Sequence, residues 1–210
     1  MIVVVGSPIG RLTDGAVAAA GMSSRVALAA ARGGAAVQVV GKTGNDETAD
    51  GVVLDLARGG VGHVALLRDG SRPTPLEAAD DLDAADETTP MTPVDGPAID
   101  AADVDLGLRY LTAFEVVVLA EPAPADLVTI VADAARWSEA RLVLVLASGA
   151  SVPDHLPADV IVFEAPDADP DGVFAELVGS FAAALADGAD PGEAFRASVD
   201  SDGWTEVAAD

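Results

Sequence analysis

Ser23-Ser-Arg-Val-Ala-Leu-Ala-Ala-Ala-Arg32, Gly33-Gly34, Ala36-Val-Gln-Val-Val40, Gly41-Lys-Thr-Gly44, Ala49-Asp-Gly-Val-Val-Leu-Asp-Leu-Ala-Arg58, Gly59-Gly60 and Val61-Gly-His-Val-Ala-Leu-Leu-Arg68 stand almost end to end in the chain. The first block is Ala-rich, opens on serines suited to capping a helix and closes on two glycines. The second is a short apolar run, too brief for a helix and rich in β-branched residues. The third repeats the helical character, with Val52, Val53 and Leu56 on one side and a second glycine pair as its stop. The fourth is again apolar. Helix, strand, helix, strand with glycine punctuation predicts an α/β fold with a parallel sheet covered on both faces.

Working outward, Ile2–Val5 is a first strand closed by Gly6-Ser7-Pro8. From 71 to 105 the chain turns rich in Pro, Thr and Asp, including Asp80-Asp-Leu-Asp83 and Asp86-Glu87, and reads as a long acidic connection between two halves. Regular patterning resumes with a helix over 104–114, a strand over 115–120 and a helix over 125–140. In that last helix Leu127, Ile130, Val131 and Ala134 recur at helical spacing, with Trp137 one turn on. Strands at 141–147 and 159–163 and helices at 172–186 and 191–198 complete one domain of 210 residues, with a polar tail after Ser198.

Composition bounds the function. The formal charge is -24, from 35 Asp+Glu against 11 Lys+Arg, which excludes binding to a nucleic-acid backbone. Half of the residues are hydrophobic and the mean hydropathy is +0.37, so the acidity is not that of a disordered tail. Lys42 is the only lysine and Asp outnumbers Glu by 25 to 10. That make-up resembles proteins of salt-loving microbes, whose carboxylate surfaces stay hydrated while salt screens their repulsion. With no Cys there is no disulfide, thiolate metal site or cysteine nucleophile. No apolar run reaches 18 residues and the amino terminus lacks a basic leader, so the expectation is a cytoplasmic protein with no membrane contact.

Short motifs carry little. Gly41-Lys42-Thr43 lacks the glycine that a phosphate loop needs five residues earlier, where Ala36 stands. Gly6 and Gly10 have the wrong spacing for a dinucleotide fingerprint. His63 and His155 stand alone, one in a strand and one in a Pro-flanked loop. Asp167, Asp169, Asp171 and Gly172 match the first half of a calcium loop, but Val178 replaces the bidentate Glu, so no metal site is expected.

Three segments together carry a resemblance: Gly21 to Gly34, then Val39-Val-Gly-Lys-Thr-Gly-Asn-Asp46, then Gly51 to Val61. They resemble the amino-terminal half of ribokinase-like (PfkB) carbohydrate kinases, with its G-x-x-G-x-D motif at Gly41, Gly44 and Asp46. Gly179 to Phe195 resembles that family's terminal helix pair, and Ala158–Val162 the strand leading to its N-x-x-E motif. The resemblance implies a doubly wound, mostly parallel sheet. It further implies phosphoryl transfer from ATP, with Mg, to a hydroxyl of a sugar or nucleoside, an Asp at a helix start serving as base. It places Arg11, Gly21, Arg25, Gly41, Gly44 and Asp46 around the substrate cleft.

Where the sequence departs from the family, the implied chemistry is lost. The family's substrate-binding Asp falls at Arg11, its motif Asn at Arg25, and N-x-x-E at Glu164-Ala-Pro-Asp167. Its catalytic glycine loop maps onto Gly172-Val-Phe-Ala175, so Ala175 replaces the catalytic Asp and Asp171 is the nearest substitute. Between Arg11 and Gly21 the spacing predicts no strands for a substrate lid, and between Asp167 and Gly172 none for a nucleotide site. The expected architecture is a ribokinase-like core without a lid. Arg11 and Arg25 are expected to converge, either on a small anionic or sugar ligand or on surface acids. Three functions follow: a non-catalytic small-molecule-binding or regulatory descendant, an ATP-dependent kinase using Asp171, or a structural partner subunit.

Overall fold

The computed structural model describes residues 1–77 and 95–201. The acidic runs at 80–83 and 86–87 lie outside the described residues, as does most of the tail after Ser198.

Six parallel strands form the main sheet in the order β5-β4-β1-β7-β8-β9. They are β1 (Ile2–Val5), β4 (Val37–Gly44), β5 (Val61–Asp69), β7 (Val116–Leu119), β8 (Arg141–Leu146) and β9 (Ile161–Glu164). Central β1 pairs in parallel with β4 on one side, Ile2 beside Val37, and with β7 on the other, Ile2 beside Val116. All four β1 side chains are fully buried, because helices cover both of its faces.

Alternate residues feed two cores. Ile2, Val4, Val39 and Val118 pack with α1 (Gly21–Arg32), α2 (Glu47–Arg58), α5 (Val173–Ala186) and α6 (Pro191–Ser201). Val3, Val5, Val117 and Leu119 pack with α3 (Ala101–Tyr110) and α4 (Ala125–Trp137). The sheet grows from β1 to β4 to β5, then the chain crosses back to β7 on the other side of β1. Crossovers keep one hand, so this reversal moves α3 and α4 to the opposite face.

Several expectations meet the structure with shifted ends. β4 runs on through Gly41-Lys-Thr-Gly44, because β5 continues beside it from Leu66 to Asp69. Helix α1 begins at Gly21 with Ala20 as its cap residue. Ser23 and Ser24 are therefore buried within the first turn and do not cap it. Asp46 caps α2, its carboxylate accepting from the Ala49 amide at 2.8 Å. The expected connection from 71 to 105 contains a short strand, β6 (Leu76–Glu77), and the start of α3, whose Asp100 and Asp103 form a reciprocal capping box.

The expectation of a core with no lid strands is corrected. Ile9–Thr13 (β2) and Ala16–Ala20 (β3) pair antiparallel, Ile9 opposite Ala20. Asp14 and Gly15 turn the chain with φ of 50° and 77°, the two left-handed positions of a tight hairpin. Strand β6 adds in parallel to the other side of β2, Gly10 beside Leu76. This second, three-stranded sheet fits a short segment because the turn uses two residues. Asp14-Gly15 was its readable signal; the Ala-rich run 16–20, with no polar alternation, concealed the strand after it.

Candidate functional site

In a doubly wound sheet the crevice lies at the carboxyl ends of the strands where the winding reverses, because the chain leaves that gap uncovered. Here those ends are Gly6-Ser7 after β1 and Ala120-Glu121 after β7. A cavity of about 250 Å³ opens between them, walled by Ile99, Leu119, Pro122 and Leu127. Glu121 lines it, and its carboxylate accepts a 2.5 Å hydrogen bond from the Ser7 amide. Burial pushes the Glu121 pKa above its ordinary value, and the Ser7 bond only partly offsets that. Gly6 permits the approach: a Cβ there would stand 2.7 Å from Ser23 Cβ and 3.1 Å from Glu121 Oε1. Ser23 and Ser24 are fully buried, and their hydroxyls have no hydrogen-bond partner among the described residues. Of the cavity's lining residues, Ser7 and Glu121 carry the polar side chains; Ser23 and Ser24 are not among them.

Arg11 and Arg25 do converge, and the small sheet brings an acid to meet them. Glu77 on β6 accepts from Arg11 Nε at 2.7 Å and from Arg25 Nη2 at 3.0 Å. Arg25 Nη1 also donates to the carbonyls of Asp169 and Pro170, at 2.7 and 3.2 Å. The pair therefore clamps the small sheet and the loop before α5 onto the start of α1.

The remaining predicted residues, Gly21, Gly41, Gly44 and Asp46, make the following local contacts. Gly41 lies against the Gly6 carbonyl, where an added Cβ would stand at 2.2 Å. Gly44 donates its amide to Thr74 Oγ1 at 2.9 Å. The Asp46 carboxylate accepts from the Thr74 amide at 2.7 Å and from its hydroxyl at 2.9 Å. Burial raises the Asp46 pKa, but the bonds from Thr74 and Ala49 outweigh it and hold the pKa below its ordinary value. Gly21 takes φ 79°, turning β3 into α1. His63 and His155 are exposed. Glu121 and Ser7 are the residues that the sequence analysis missed. Their signal is positional, a polar residue one or two places past a central strand, and many loop residues share it.

The loop before α5 has a distinct geometry. The Asp169 carboxylate accepts from the amides of Phe174 and Ala175, both at 3.0 Å, while Gly172 reverses the chain at φ 74°. Asp171 is exposed. Among the described residues no three acidic or histidine side chains are close enough to hold a metal ion.

No protein-family model matches the sequence, and no curated protein matches it. Solved structures match the fold, which is of the doubly wound class with a small second sheet at the carboxyl edge. The ribokinase of Arabidopsis thaliana, in complex with ribose and ATP, has a TM-score of 0.64 at 16% identity, over 94% of this chain and 89% of that one. A PfkB protein from Polaromonas sp. JS666 has a TM-score of 0.63 at 13% identity, over 94% and 92%. The chain has the ribokinase-like α/β fold.

That fold family implies ATP and Mg at the start of the helix corresponding to α5. The residues present do not fit a nucleotide's phosphates. The α5 amides that would receive phosphate oxygen already hold the Asp169 carboxylate, and a second anion beside it would be repelled.

Proposed function

We propose that this chain is a carbohydrate-kinase-like protein that binds a small polyhydroxylated ligand without phosphorylating it, as a sensor or regulatory module. One observation carries the reading: Asp169 seats its own carboxylate on the Phe174 and Ala175 amides, at the position to which the family resemblance assigns the catalytic Asp. Transition-state charge in phosphoryl transfer is stabilised by donors waiting at the site, and donors already satisfied by a fixed carboxylate contribute nothing to it. The crevice at Glu121 and Ser7 supports recognition of a hydroxylated ligand, with a buried acid bonded to the Ser7 amide among apolar walls.

The test is calorimetric titration of the full chain with Mg-ATP in high salt, beside a thermal-shift panel of sugars and nucleosides. The expected outcome is no heat with Mg-ATP and a stabilising shift with one class of polyol, reduced in Glu121→Gln. Micromolar Mg-ATP binding would overturn the reading. An active kinase is the second reading, favoured by the fold match alone, with Asp171 as its base. It requires that Asp171→Asn abolish phosphate transfer, and an unchanged rate disposes of it.

A further inference from the structure

The Glu77 carboxylate is held as a bound acid would be. Its Oε2 accepts from Arg11 Nε at 2.7 Å, and Arg25 Nη2 reaches both oxygens, Oε1 at 3.0 Å and Oε2 at 3.2 Å. Two planar guanidiniums converging on one planar acid is a geometry by which proteins recognise carboxylates. The side chains of Arg11, Arg25 and Glu77 are 34%, 17% and 28% exposed, so salt screens this contact less than an open surface pair.

Arg25 has supports that do not involve Glu77. Its Nη1 donates to the main-chain carbonyls of Asp169 and Pro170, and a Cβ at Gly172 would stand 3.0 Å from its Cδ. Arg11 is carried on the β2–β3 hairpin, opposite Ala18. The acid is the weakly anchored member. It sits on the two-residue β6, which pairs with β2 only at Gly10 with Leu76 and Arg11 with Glu77. The donors are therefore built into longer elements, and the acceptor is exchangeable. Elsewhere the charge of -24 repels an incoming anion, so an acidic ligand needs such a pair of arginines.

We propose that Arg11 and Arg25 form a carboxylate site whose internal occupant is Glu77, and that a sugar acid binds by replacing it. The carboxylate is read from Glu77 itself; the hydroxylated remainder rests on the reading of this chain as a polyol-binding protein. Calorimetric titration of the full chain compares five- and six-carbon aldonates with the matching neutral alditols. It is run near 1 M KCl, where a Debye length of about 3 Å screens the general repulsion. Glu77→Ala tightens aldonate binding about tenfold, the gain from removing a contact that is closed in about nine molecules of ten. It leaves the alditols unchanged. Arg25→Gln abolishes the gain when added to Glu77→Ala, whereas Arg32→Gln, which removes an exposed arginine of the same helix, retains it. The comparison of wild type with Glu77→Ala decides the matter should the Arg25 variant fail to fold.

Aldonate binding that Glu77→Ala leaves unchanged or weakens overturns the proposal, and so does a sugar phosphate bound in preference to the aldonate. Alditols that still bind in those cases leave the polyol reading standing. A selective aldonate gain that is indifferent to Glu121→Gln upholds the carboxylate site and overturns the role of the Glu121 crevice. No binding of either class overturns both.

Discussion

Glu121 is one of ten glutamates, and nothing in its neighbours along the chain, Ala120 and Pro122, sets it apart. What distinguishes it is tertiary: it follows a central strand whose partner, β1, ends in Gly6 and Ser7. Its folded pKa lies above the ordinary value of 4.5, so the native state holds the proton more tightly than the unfolded chain. Stability therefore falls as pH rises through the window between 4.5 and the raised folded value, and above it the cost of the buried charge is fully present. Glu121→Gln, which keeps an acceptor for the Ser7 amide, is expected to stabilise the protein at neutral pH by about 1 kcal/mol. Thermal melts should show that gain vanishing below the ordinary carboxylate range, while the polyol-induced shift weakens. Arg11 and Arg25 were easier to read, because a cation after a strand and another at a helix start lie on the same side of a parallel sheet. Their shared acid, Glu77, was not, since it arrives on a two-residue strand.

Among elements, α5 shows best how a local substitution redefines a helix end. Asp169 reaches over Gly172 to the second and third residues of the helix, a capping bond made from outside the usual position. Asp169→Ala is expected to lower stability by about 1 to 2 kcal/mol, the range for losing a helix cap. Chemical denaturation would read this as a lower midpoint, with Asp171→Ala close to wild type because that side chain is exposed. Helices α1, α2 and α4 were legible because the apolar stripe and its stops are local properties. Trp137 continues that stripe in sequence yet is exposed, since it lies in line with the half-buried Ile130 and Ala134 and not with the buried Val131 and Ala135. Lys42, the single lysine, bridges to Asp103 and so ties the end of β4 to the first turn of α3. No spacing rule joins those two positions.

At the scale of the molecule, charge sets the conditions under which the fold is stable. The chain carries 35 acids against 11 Lys and Arg, so repulsion between like charges predominates on it. The melting temperature, measured at low protein concentration to suppress association, is expected to rise from about 0.1 M to about 1 M KCl as the Debye length shrinks. A flat or falling curve would mean that the acidic surface carries no net repulsion. Among the described residues no helix is long and apolar enough to cross a membrane.

The alternation of glycine-stopped helices with β-branched strands was written in the amino-acid sequence, and it determined the doubly wound sheet. Hydrophobic periodicity is summed over many residues, so it survives the loss of any one. The small sheet, the crevice at Glu121 and the occupied end of α5 were decided by tertiary structure. Each depends on two or three residues brought together from distant positions, as Ser7 with Glu121, Arg11 and Arg25 with Glu77, and Thr74 with Asp46. Pairings of that kind leave no period in a sequence, because the sheet and not the chain makes those residues neighbours.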